Sequence, residues 1–87
     1  MEPNNTNEIL FMQIVMQNQQ IAMMSMGKLK NPVTNSMDKN MEYAKIAIDT
    51  LDMLTVKTKG NLSEYEEKFL KEIIQELKVT YAEENGK

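Results

Sequence analysis

Asp38, Glu42, Asp49 and Asp52 recur at spacings that bring carboxylates onto one side of a helix, the arrangement a hard divalent cation requires. Lys45 falls among them, and a solvated charged stripe explains the same pattern, so no metal ligand is assigned. Acid-base catalysis needs a carboxylate of raised pKa in a cleft, and nothing in the pattern predicts a cleft. No catalytic or cofactor-binding residue is assigned, and the chain reads as a protein that is not an enzyme.

Lys57, Lys59, Gly60 and Asn61 form a second candidate. Two ammonium groups beside the exposed amides of a glycine turn make a corner attractive to phosphate. A helix stop explains each residue equally well, with Gly60 as the cap and the lysines opposing the helix dipole. The glycine spacing of a phosphate-binding loop is missing, and no strand precedes the run. Five methionines, Met12, Met16, Met23, Met24 and Met26, make a third candidate, since thioethers bind Cu(I) or build an adaptable apolar surface. Met12, Met16 and Met23 share a side while Met24 points elsewhere, which favours packing over ligation.

The whole composition narrows these options. The 87 residues contain no Cys, His or Trp. Disulfides are therefore excluded, as are structural zinc sites built on thiolate or imidazole. All ten basic residues are lysine, so no guanidinium fork is available for phosphate or base edges. The net charge is −3, and its acidic excess falls in the last segment, where seven glutamates face four lysines. An acidic helix is the wrong footprint for nucleic acid. The leading residues carry no basic stretch before the apolar run, so no secretory signal is expected and the chain reads as cytoplasmic.

These residues have to be positioned by helices. The periodicity predicts an all-α fold, a single helical domain over 1–87 with three helices. A long apolar first helix over about 6–26 is followed by a loop at 27–36. An antiparallel hairpin then pairs a helix at about 37–58 with one at about 64–82, and the tail 83–87 frays. Asn5 with Glu8 three positions on has capping-box spacing. Met37, Met41, Ala44, Ile48 and Leu51 form a heptad-like seam on the second helix. Ser63 with Glu66 is a second capping box, and Phe69, Leu70, Ile73, Ile74, Leu77 and Tyr81 make a one-sided apolar face on the third.

The first helix is unlike the others. Between Glu8 and Lys28 it carries no charge, and only Gln13, Gln17 and Gln20 make a polar sector. Four large apolar side chains left wet there would forgo roughly 6 to 12 kcal/mol, as much as the stability of a small domain. The expectation is an oligomeric helical bundle, with the chain as its own partner through Phe11, Val15, Asn18, Gln19, Ala22 and Met26. Asn18 and Gln19 would set register as amides within an apolar seam. The alternative is an adaptable methionine-rich binder of a partner helix or an apolar ligand. Membrane insertion is disfavoured by the glutamines in the middle of the helix, and interfacial binding by the lack of a lysine-rich polar face.

The stretch Ala44-Lys45-Ile46-Ala47-Ile48-Asp49-Thr50-Leu51-Asp52-Met53-Leu54, followed by Lys57-Thr58-Lys59-Gly60-Asn61-Leu62-Ser63, resembles a bacterial family known as domain of unknown function 1844. The resemblance is most specific at Lys57 to Leu62. It extends more loosely to the apolar first helix, the Asn31-Pro32 loop, and Leu77 and Tyr81. It implies a small cytosolic helical protein of bacteria, and it carries no activity or site residue onto this chain. The glutamine- and methionine-rich first helix is where this sequence departs from the family pattern.

Overall fold

A computed structural model describes the backbone of residues 3–86 and the side chains of residues 6–86. The described chain is all-helical: α1 spans Pro3–Ser25, α2 Met41–Lys57 and α3 Glu64–Asn85. Ends that touch give the topology. The Asn40 amide, at the start of α2, donates to the Ser25 carbonyl at the end of α1 (2.7 Å). Ser63, at the start of α3, donates its hydroxyl to Glu8 near the start of α1 (3.2 Å). Glu84, near the end of α3, meets Lys28 and Lys39, which follow α1 and precede α2. The helices therefore run up, down and up, with α2 antiparallel to both neighbours.

Helix boundaries follow local chemistry. α1 begins at Pro3, a residue suited to the first turn because the missing N–H has no partner there anyway. Asn5 is thus inside the helix rather than at its cap, and its side chain lies outside the described residues. Glu8 is used elsewhere, as the acceptor for Ser63. α1 ends in a Schellman turn in which Lys28 N–H reaches Met23 O and Gly27 N–H reaches Met24 O, with Gly27 at φ +78°.

α2 starts four residues later than its periodicity predicts. Asn40 is the cap, its side chain accepting from the amides of Glu42 and Tyr43. Residues 37–40 are not helical, with Asn40 itself extended, Met37 is half-exposed, and the seam begins at Met41 instead. The cap geometry overrides the apolar spacing because two helix-end amides need an acceptor. The preceding loop folds on itself: Asn31 and Ser36 bridge, Asn31 Oδ1 accepts from Val33 N–H, and Asn35 adopts φ 55°.

α3 has both halves of the Ser63–Glu66 capping box. Its far end does not fray at 83. It continues to Asn85 because Glu84 is buried and accepts from Lys28 at 2.7 Å and Lys39 at 3.3 Å. Two cations from the loop between α1 and α2 hold the last turn of α3, and sequence periodicity has no way to register such a contact. The core is Val15, Ala22 and Met26 from α1, Ala44, Ala47, Ile48 and Leu51 from α2, and Leu70, Ile73, Ile74 and Leu77 from α3. The assembled chain is a slab about 43 × 26 × 16 Å.

Candidate functional surfaces

The residues expected at a subunit interface divide in two. Val15, Ala22 and Met26 are completely buried inside the chain's own core, and Phe11 packs against that core. Asn18 and Gln19 are half-buried, and Asn18 Nδ2 donates to the Ile14 carbonyl of its own helix (3.0 Å). The arc centred on Val15 is the part of α1 free of the glutamine ridge. Its small residues, Val15 and Ala22, let α2 and α3 approach closely, so it packs within the chain and offers no outer surface.

What remains outside is a different seam. Leu10, Ile14, Gln17 and Ile21 follow at spacings of four, three and four, and Leu10 (53%), Ile14 (46%) and Ile21 (44%) stay substantially exposed. The spacing was legible in the sequence. It is a heptad-like run with one amide in it, hidden there because the stronger arc around Val15 runs beside it. Ile9 and Met16 flank the glutamine ridge on its other side, also exposed. The outer half of α1 thus offers apolar and carboxamide groups, and no charge from Ile9 to Gly27. Its methionines do not form one patch: Met26 is buried, Met12, Met23 and Met24 are half-buried, and Met16 is exposed.

A second uncovered feature is concave. Between α2 and α3 runs an open groove of about 880 Å³, and none of its lining comes from α1. The buried Leu70 and Ile74 of α3 line it, together with the exposed Val56 of α2 and Val79 of α3, 73% and 55% exposed. Lys78 of α3 reaches Asp52 of α2 across it at 3.0 Å. No methionine lines it.

The anion corner reaches one end of this groove through Lys59 and Gly60. Three of its amides are already engaged. Thr58, Lys59 and Asn61 donate to the carbonyls of Leu54, Val56 and Thr58, and the Thr58 hydroxyl also caps Leu54 O at 2.6 Å. The cap of α2 is Thr58 rather than Gly60, and Gly60, two residues further on, takes φ +85° inside the turn, a left-handed value that glycine adopts without strain. The residues therefore build the turn that joins α2 to α3.

The carboxylate stripe separates in the same way. Asp49 pairs with Lys45 at 2.8 Å, Asp52 with Lys78, and Asp38 accepts from the Ser36 hydroxyl at 2.7 Å. The hydrogen bond and charge of Asp49 push the Lys45 pKa above its ordinary value. Among the described residues no three carboxylates or other ligands gather where a metal ion would need them. Among them, too, no helix is long and apolar enough to cross a membrane.

Against known proteins, the chain matches over residues 8–83 the sequence model of one family, described as Domain of unknown function (DUF1844). No curated protein and no solved structure matches it.

Proposed function

The chain belongs to the DUF1844 family, and from that premise we propose that it is a non-enzymatic, cytoplasmic protein of structural or protein-interaction role that works as a homo-oligomer. The observation that carries this reading is the uncovered outer face of α1. Five large apolar side chains there, Ile9, Leu10, Ile14, Met16 and Ile21, remain about half-exposed. Covering them would recover roughly 4 to 7 kcal/mol, a large fraction of the stability of so small a chain. A second copy is the favoured cover because the face holds no charge that self-association would desolvate. Its glutamine carboxamides both donate and accept, so they can pair with groups of either kind.

The interface moves accordingly from the arc centred on Val15 to the seam of Leu10, Ile14, Gln17 and Ile21. Light scattering over a hundredfold dilution, on the native chain and on Ile14→Glu, tests the reading. The expected result is an oligomer that Ile14→Glu converts to a folded monomer. A native chain that is monomeric throughout the range would refute it. The groove between α2 and α3 favours the second reading, a binder of a partner helix or an apolar ligand. No methionine lines that groove, so on this reading the apolar contacts would come from Leu70, Ile74, Val56 and Val79 and not from thioethers.

A further inference from the structure

The seam on the outer side of α1 is a pattern complementary to itself. In heptads with Ile14 and Ile21 at a, Leu10 and Gln17 fall at d and Asn7 at the preceding a. All five are exposed, so the chain's own fold leaves this line open over about four turns. We infer that it pairs with the same seam of a second copy, the two α1 helices running parallel and in register about a twofold axis. This rests on the homo-oligomer reading and adds the orientation, the register and the number of copies.

The apolar positions are sorted by shape, with β-branched isoleucine at a and leucine at d, the division that suits two parallel strands. The amides are sorted too. In a parallel pair each layer takes one position from both chains, so Asn7 meets Asn7 and Gln17 meets Gln17. A carboxamide both donates and accepts, and its own copy satisfies it. The isoleucines and the leucine then meet only their like, and the register role expected of Asn18 and Gln19 falls to Asn7 and Gln17. The flanking e and g positions, where charges select or repel partners, hold Phe11 and Asn18 on one side and Gln13 and Gln20 on the other. None is charged, so two identical chains meet no like-charge contact there.

Antiparallel copies do worse on the same residues, because they set a against d. The register that overlaps the seam most fully puts Ile14 against Gln17, which strips water from an amide without giving it a partner. Sliding the copies until Gln17 meets Asn7 repairs the amides. It also carries Ile21 to the partner's Pro3, where that helix begins and little cover remains.

The chain has no cysteine, so single cysteines report the orientation directly. Asn7→Cys and Ile21→Cys mark the two ends of the seam, and each is oxidised alone in a glutathione redox buffer, in which only a disulfide that the assembly favours accumulates. Like positions face each other in a parallel pair, within reach of a disulfide whose Cα atoms span about 4.4 to 6.8 Å. No antiparallel register brings both positions to their own copies: where one pair meets, the other is about 42 Å apart along the axis. The expected result is a native mass of two chains by light scattering, a covalent dimer from each cysteine variant, and loss of both cross-links when Ile14→Glu is added. Circular dichroism and the mass under reducing conditions check that each variant keeps fold and assembly, and Gln17→Cys replaces Ile21→Cys should the latter lose them. A native dimer in which either position fails to cross-link would overturn the parallel pairing and leave the homo-oligomer reading intact, as would a native mass above two chains. A native chain that is monomeric throughout would overturn both.

Discussion

Gly60 shows how a single residue serves conformation without serving a ligand. At φ +85° it occupies the region where an L side chain meets its own backbone, yet a Cβ added there would find nothing within 4 Å. The cost of Gly60→Ala is therefore the backbone conformation alone, about 1 kcal/mol, and Gly60→Asn should cost less because Asn tolerates that region. Urea unfolding of both variants checks the order. Glu84 is the opposite case, a buried carboxylate that joins the loop before α2 to the end of α3 through Lys28 and Lys39. Glu84→Ala leaves two partly exposed lysines to water and is expected to cost about 1 kcal/mol. Hydrogen exchange should then show the last turn of α3 opening before the rest of that helix. Gly60 was legible from its type and context. Glu84 was not, because a glutamate in an acidic tail looks solvated until the fold brings two distant lysines to it.

At the scale of the helix, the starts of α2 and α3 were unequally readable. Ser63 and Glu66 carry a reciprocal motif whose two hydrogen bonds depend only on spacing, and both bonds form at 3.2 and 2.8 Å. Ser63→Ala is expected to destabilise the chain by about 1 kcal/mol, read as a lower urea midpoint with the slope unchanged. Ser63 also donates to Glu8, so part of that loss belongs to the contact between α3 and α1, and in the Glu8→Ala background the same substitution should cost less. Asn40 has no such reciprocal partner in the sequence. Apolar spacing extended the expected second helix back to Met37, and the asparagine acceptor that stops it became visible only through its bonds to Glu42 and Tyr43.

For the molecule as a whole, the division of α1 into an inner and an outer face governs what mutations do. Val15 has no exposed surface, so Val15→Glu buries a charge in the core and should unfold the chain, whatever its association state. Ile14→Glu, one residue away on the outer side, is expected to leave the helix content unchanged and to alter mass alone. Circular dichroism and light scattering on the pair separate core from surface. Loss of folding by Ile14→Glu would mean that the outer seam is needed within the chain itself.

The sequence by itself determined three helices, the α2–α3 turn at Gly60, the Ser63 cap, and the surplus of apolar surface on α1, because each depends on residues within a turn or two of one another. It also carried the family match over residues 8–83. Tertiary structure alone decided which arc of α1 turns inward. A helix with apolar residues on several sides has no single face written into its periodicity, and the choice falls to the neighbours it must fit: the arc of Val15, Ala22 and Met26 closes on α2 and α3, while Leu10, Ile14 and Ile21 stay outside. The groove between α2 and α3 was decided in the same way, since a concavity belongs to the separation of two helices and to neither sequence segment alone.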